Sequence, residues 1–126
     1  MDDFGNVIST YTRKQAIADG VLIDVTAAAS ARGFKLHTVV TDSLFNRYVT
    51  PPAGLIGEGQ TIEGRLHDLL MMAFFAAKRN PHSSRAEFTV LFLMRPGHRE
   101  EIEVMLHVGP GDDREPVATI MLPGDD

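Results

Sequence analysis

Three polar side chains near the start of the chain are the first candidates for a binding site. Tyr11, Arg13 and Asp24 flank a short predicted helix and the apolar run Val21-Leu22-Ile23. A phenol, a guanidinium and a carboxylate around an apolar floor could line a pocket for a small ligand. The same residues could equally form a helix cap and a salt bridge, and we favour that structural role.

A second candidate is the acidic turn Gly109-Pro110-Gly111-Asp112-Asp113, whose oxygens could ligate a divalent cation. The turn lacks the alternate-residue ligand spacing of an EF-hand loop, and a connection between two strands explains the same residues. We therefore expect no metal at Asp112 or Asp113. No other pattern in the sequence indicates a cofactor.

Catalytic patterns are absent from the sequence. None of the five histidines lies four residues from another, as a helical metal pair would, and there is no cysteine. His67 and Asp68 are neighbours on a predicted helix, so their side chains diverge by about 100°. Motifs typical of serine hydrolases, P-loops and dinucleotide-binding folds are also missing. We predict no catalytic residue, and an enzyme is disfavoured.

Charge disfavours nucleic acid as a partner. The net charge is −5, from 12 basic and 17 acidic residues. Two basic clusters, Arg95/His98/Arg99 and Lys78/Arg79/Arg85, are predicted at opposite ends of a strand, roughly 26 Å apart at ~3.3 Å per residue. Each is predicted to have an acidic neighbour: Asp125 and Asp126 beside the first, and Asp112, Asp113 and Glu115 beside the second.

The stretch Thr61–Arg79 predicts the long helix that the other elements must pack around. Ile62, Leu66, Leu69 and Ala73 recur at helical spacing, with Glu63, Arg65 and Asp68 off that face. Thr61 is the expected N-cap. The second half is apolar all round, which predicts a central helix covered on two sides.

Shorter elements precede and follow this helix. Thr12 and Gln15 form a capping box for a helix from Arg13 to about Asp19, and a second short helix spans residues 27–32. Alternating apolar residues predict three C-terminal strands joined by short turns: Glu87 to Met94, Ile102 to Val108, and Pro116 to Leu122. The sequence predicts an α+β fold: one domain over residues 1–126, short N-terminal helices, and a long central helix packed on a three-stranded antiparallel sheet.

The N-terminal sequence and the length of the apolar runs predict a soluble, cytoplasmic protein. The N-terminus is acidic rather than basic and has no apolar run, unlike a secretory signal. The longest apolar run, Leu69 to Ala77, is roughly half of the ~20 residues that a membrane span needs.

Two stretches resemble a bacterial family classed as a domain of unknown function, whose members occur on chromosomes, plasmids and phages. The first stretch is Tyr11 to Val25, and the second runs from Gly109 to Pro123. The resemblance implies no activity and no site residue. It implies a context, because small mobile-element proteins often act by binding host or defence components.

Two functional hypotheses follow. The first is a small non-catalytic protein that binds another protein, as a mobile-element accessory or anti-defence factor. The second is a small-molecule-binding protein or minor enzyme with a pocket near Tyr11, Arg13 and Asp24. The strand Glu87 to Met94 is apolar on both faces, so we expect either the N-terminal helices or a second copy of the chain to cover its outer face, and we predict a homodimer.

Overall fold

The computed structural model describes residues 11–55 and 57–125. This part of the chain contains four α-helices and five strands. The helices are α1 Arg13–Ala18, α2 Thr26–Ser30, α3 Asp42–Leu44 and α4 Ile62–Arg79. A π-helical turn, Phe45–Val49, continues α3, and a 3₁₀ turn spans Ala53–Leu55. The strands are β1 Leu22–Asp24, β2 His37–Thr41, β3 Arg85–Arg95, β4 His98–Pro110 and β5 Pro116–Met121. Val7 and Ile8, whose apolar side chains are compatible with a short strand or with packing alone, lie outside the described residues.

The sheet corrects the predicted architecture. It has five strands in the order β1-β2-β5-β4-β3, and not three. The predicted C-terminal strands are present as β3, β4 and β5, with antiparallel neighbours. β2 pairs parallel with β5, and β1 pairs antiparallel with β2, so the sheet is mixed. The N-terminal apolar segments are therefore strands of the same sheet.

A tight turn at Pro96-Gly97 joins β3 to β4. Gly97 has a φ of +71°, a conformation that glycine adopts without steric cost. On β3, Phe88, Val90 and Phe92 are buried, while the residues between them are exposed. One face of the β3–β4 hairpin therefore packs into the core, and the opposite face, here called the outer face, points away from α4.

Helix α4 lies on the core face and runs over β3. It begins as predicted, with the Thr61 hydroxyl accepting a hydrogen bond from Gly64 N, and it ends at Arg79. Leu69, Leu70 and Ala73 are fully buried, whereas Leu66 is only partly buried. The prediction of a helix covered on two sides is wrong, because its second half leaves Phe75 45% exposed.

Helix α1 lies on the outer face, at the β2–β5 side of the sheet. Its capping box is present, and Gly20 follows it with a φ of +79°. Ala16 of α1 is buried, as is Val39 of β2 on the same face. An N-terminal helix therefore covers part of the outer face, but the β3 part of that face stays exposed.

Candidate functional site

Tyr11 makes a local contact rather than lining a pocket. Its hydroxyl donates to Asp19 Oδ2 at 3.0 Å, and this bond joins a residue before α1 to the residue that follows its last turn. This hydrogen bond raises the pKa of the Tyr11 phenol, because the neighbouring carboxylate stabilises the protonated form. The side chain is 55% exposed. The hollow described next does not include Tyr11 in its lining.

Arg13 reaches from α1 to the outer face of β5. Its Nη1 donates to Thr119 Oγ1 at 3.0 Å, and its Nη2 donates to Ala118 O at 2.8 Å. Its Nε is buried without a hydrogen-bond partner among the described residues. Burial lowers the pKa of the guanidinium, against the opposing effect of nearby carboxylates. A hollow of about 200 Å³ beside Arg13 is lined by Arg13, Lys14, Ile17, His37, Asp112 and Glu115.

Asp24 acts mainly as a turn-forming residue at the end of β1. Its Oδ1 accepts hydrogen bonds from Thr26 N at 2.9 Å and from Thr26 Oγ1 at 2.6 Å. His37 Nε2 lies 3.3 Å from its Oδ2. Partial burial acts to raise the pKa of Asp24, but the Thr26 hydrogen bonds and His37 hold it below its ordinary value. Of the three predicted residues, only Arg13 lines the hollow.

The acidic turn after β4 has a structural use that the sequence did not reveal. Asp112 accepts hydrogen bonds from the backbone of Arg13 at 2.8 Å and of Lys14 at 3.1 Å. Its carboxylate therefore satisfies N–H groups in the first turn of α1, which have no partner within the helix. These bonds lower the pKa of Asp112. Among the described residues, no three His, Asp or Glu side chains are grouped so that they could hold a metal ion.

Replacing Asp112 by asparagine is expected to remove a pH-dependent part of the stability. Because the folded-state pKa is lowered, Asp112 stabilises the fold above the ordinary aspartate pKa of about 3.9, and the effect is lost as pH falls through the lowered value. Urea midpoints should therefore differ between wild type and Asp112→Asn at neutral pH and converge in acid. Asp113→Asn is the matched control, since that carboxylate makes no hydrogen bond within the described residues. A constant difference at every pH would contradict the capping role.

Asp125 lies at a different place from the one predicted. Its Oδ2 accepts from Thr41 Oγ1 at 2.8 Å, Ser43 Oγ at 2.7 Å and Leu122 N at 2.9 Å. The predicted neighbour of Arg95 was wrong because β5 ends at Met121, which pairs with Met105, midway along β4. Partial burial acts to raise the pKa of Asp125, but the hydrogen bonds from Ser43 and Thr41 lower it overall. Asp126 lies outside the described residues.

Arg65 is the largest error on α4. The helical spacing placed it off the apolar face of the helix, yet it is only 3% exposed. Its Nε donates to Tyr48 O at 2.7 Å, and its Nη1 donates to Gln60 Oε1 and Leu93 O, each at 2.8 Å. Burial lowers the pKa of this guanidinium. Arg65 therefore joins α4 to the π-helical turn, the loop before α4 and the end of β3.

β3 is an edge strand of the sheet, and one of its sides is free of the other described strands. Ser84 O, next to the strand, accepts from Val108 N at 2.8 Å. Since bonding positions alternate along an antiparallel pair, the even-numbered residues of β3 bond to β4. The odd-numbered residues Glu87, Thr89 and Leu91 therefore point their N–H and C=O groups away from the sheet. Within residues 11–55 and 57–125, no other strand pairs with that side.

Helix α4 overhangs this free side and forms a groove with it. Asp68, Met71, Met72 and Phe75 lie at positions i, i+3, i+4 and i+7, so they share one side of the helix. A hollow of about 380 Å³ runs between this side and the strand, lined by His67, Asp68, Met71, Met72, Thr89, Val90, Leu91 and Glu101. We call this surface the β3 groove and define it as the free edge from Glu87 to Leu91 with the α4 side chains Asp68, Met71, Met72 and Phe75.

The β3 groove exposes apolar side chains beside acidic ones. Leu91 is 59% exposed and Phe75 is 45% exposed, the first on the strand and the second on the helix. Glu87 lies on the outer face of β3, and Glu101 and Glu103 pair with Leu91 and Thr89 on the same face. Among the described residues, none of these three glutamates has a hydrogen bond or ion pair. Apolar residues on both faces of β3 were the only sequence signal for this site.

The described residues form a mixed α/β fold with a five-stranded sheet, of which β3 is an edge strand beneath α4. None of the described helices is long and apolar enough to cross a bilayer. The chain belongs to the family described as Family of unknown function (DUF6573), whose model matches residues 1–126. No curated protein and no solved structure matches the chain.

Proposed function

We propose that this chain is a small, non-catalytic interaction protein that binds another protein through the β3 groove. The observation that carries the proposal is the exposed Leu91 on β3, whose outer edge pairs with none of the other described strands. Unpaired edges invite pairing with other chains, and proteins usually blunt them with charge, proline or a covering element. Here an exposed apolar side chain, Leu91, lies at one end of the open stretch.

The polar groups elsewhere support a non-catalytic role. The three described carboxylates with lowered pKa values, Asp24, Asp112 and Asp125, each accept hydrogen bonds from backbone N–H groups. These contacts explain the shifts as capping and turn formation. A catalytic acid or base would instead need its proton-accepting atoms directed towards a substrate site.

One observation favours the second candidate, a small-molecule-binding protein. Arg13 Nε is buried without a described partner next to the hollow of about 200 Å³. Against this, the other two guanidinium nitrogens are used by Ala118 and Thr119, and Asp24 is used by Thr26. Thermal-shift screening with small carboxylates and phosphates would favour this candidate if a stabilising compound lost its effect in Arg13→Lys.

Replacing Leu91 by aspartate should weaken partner binding at least tenfold. Burying a leucine side chain contributes about 1.5–3 kcal/mol, and each 1.4 kcal/mol is a factor of ten in affinity. The partner is first found by photo-crosslinking from position 91 in extract of the native host, then produced separately and titrated by calorimetry. Val21→Asp is the matched control, because Val21 is 46% exposed and precedes β1, at the opposite edge of the sheet.

The proposal fails if no protein binds in a way that depends on Leu91, or if Val21→Asp weakens binding equally. Light scattering of the purified wild-type chain and of Leu91→Asp is a separate measurement that tests the predicted homodimer. A dimer mass lost in Leu91→Asp would mean that a second copy occupies the groove. That this chain is a mobile-element accessory or anti-defence factor, and its partner a host or defence component, stays a prediction supported by the resemblance alone.

A further inference from the structure

Side chains of the protein itself form hydrogen bonds with the backbone at both ends of the open edge of β3. At one end, Ser83 Oγ accepts from Arg85 N at 3.2 Å and donates to Arg85 O at 2.7 Å. At the other end, Arg65 Nη1 donates to Leu93 O at 2.8 Å. Between these points, the outward backbone groups of Glu87, Thr89 and Leu91 have no hydrogen bond among the described residues. The open edge is therefore a defined stretch rather than a frayed strand.

We propose, building on the interaction function above, that this stretch binds an extended peptide segment of the partner as a sixth, antiparallel strand, with basic side chains on the outer face alternating with apolar side chains beneath α4. Strand addition of this kind supplies affinity through backbone hydrogen bonds and specificity through alternate side chains. Antiparallel pairing is the slightly more stable arrangement per residue.

The outer face determines the basic half of this pattern. Side chains of residues paired across a sheet lie on the same face, so partner residues opposite Glu87, Thr89 and Leu91 extend over the outer face. Glu87 is on the adjacent strand, about 4.8 Å away, and Glu101 and Glu103 are one strand further, at about 10 Å. The long side chains of lysine and arginine can reach both rows of carboxylates.

Helix α4 determines the apolar half. The partner residues between those three positions point to the opposite face, beneath the overhanging side of the helix. Met71 and Met72 line the groove there with Val90, and Phe75 extends the same side of α4. Methionine side chains adapt to differently shaped apolar partners. A basic residue packed against Met71, Met72 or Phe75 would lose its hydration without gaining a partner. Near Asp68, at the N-terminal end of this side of α4, it would meet a carboxylate instead.

Charge also favours a foreign segment over a second copy of this chain. A second copy stacked on the outer face would bring its own Glu87, Glu101 and Glu103 towards the same three residues, and a second copy paired at the edge would extend the acidic surface without neutralising it. Like charges placed opposite each other destabilise strand pairs and interfaces. A basic segment instead neutralises them.

A synthetic peptide of alternating lysine and valine, capped at both ends and flanked by glycine and serine, tests the proposal. In an antiparallel added strand, the lysines that cover the outer face also direct their N–H groups towards β3. N-methylation of the lysine backbone nitrogens should therefore weaken binding at least tenfold in NMR titrations. N-methylation of the valines is the matched control and should change affinity less than threefold. Replacing the lysines by glutamate should abolish binding.

Thr89→Pro provides the complementary test on the protein. Thr89 N–H points away from β4, and proline is tolerated on an edge strand where its missing N–H faces outward. The variant should lose peptide binding, whereas Thr89→Ala, which keeps the N–H, should retain it. If Thr89→Pro does not fold, as judged by circular dichroism, the methylated peptides decide the question. Equal affinity of the lysine-methylated and unmodified peptides would overturn strand addition.

The two proposals can fail separately. A Leu91-dependent partner that binds Thr89→Pro as tightly as wild type would overturn strand addition and leave the interaction function standing. Conversely, the designed peptide could bind in the predicted pattern while no protein partner depends on Leu91. That outcome would overturn the interaction function and leave the chemistry of the β3 groove as proposed.

Discussion

Arg65→Ala is expected to destabilise the protein by about 3–5 kcal/mol, because it leaves buried acceptors without a donor. The guanidinium donates to Tyr48 O, Gln60 Oε1 and Leu93 O, and it lies 4.9 Å from the centre of the Phe92 ring. Removing it would leave two backbone carbonyls and one side-chain amide to find other partners. It would also open a cavity between α4 and β3.

Urea denaturation at neutral pH measures this effect. Arg65→Lys keeps the charge, but its single nitrogen cannot match the fork of a guanidinium, so it should recover only part of the loss. Arg47→Ala is the matched control, because Arg47 is exposed and lies over the Tyr48 ring at 5.2 Å. Its expected cost is below about 1 kcal/mol, as for an exposed cation–π pair. Equal losses in Arg65→Ala and Arg47→Ala would contradict the role given to Arg65.

Leu69→Ala is expected to cost about 2–5 kcal/mol, the range for deleting a buried leucine side chain. Leu69 is fully buried on α4, beside Leu70 and Ala73. The cavity would lie in the main core cluster, where α4 meets the sheet. Denaturant midpoints measure the loss.

The exposed Ile62, at the start of the same helix, supplies the control for Leu69. It is 40% exposed, so Ile62→Ala should cost less than about 1 kcal/mol. An unchanged midpoint in Leu69→Ala would mean that the core face of α4 has been assigned incorrectly.

Local features of the fold were predictable from the sequence. Capping chemistry acts over three or four residues, so Thr12 and Thr61 correctly marked the starts of α1 and α4. Alternation located β3 and β4, although both strands are longer than predicted. Helical spacing identified Leu69 and Ala73 as core but misplaced Ile62, which is 40% exposed at the first residue of α4. Helical spacing shows which residues share a face of a helix, but it does not show whether other elements cover every turn of that face.

Features that depend on distant residues were not predictable. Loose alternation from Phe34 to Thr41 predicts a strand, which is present as β2, but it does not predict the parallel neighbour β5. Asp112 caps a helix whose first residue, Arg13, lies 99 positions earlier in the chain. Helical spacing placed Arg65 off the apolar face, and charged residues are rarely buried unless they have partners. Its carbonyl acceptors at Tyr48 and Leu93 belong to other elements. The β3 groove likewise depends on how α4 crosses the strand.

The parallel pairing of β2 with β5 also has a kinetic consequence. Its first pair joins His37 to Val117, 80 positions further along the chain. The β3–β4 hairpin needs only a short turn, and hairpins close within about 1–10 μs. Closing the much longer loop costs more chain entropy, and folding slows as contacts become less local. During synthesis, the edge of β2 that pairs with β5 stays unpaired until β5 has left the ribosome. The sheet is therefore completed last at its centre.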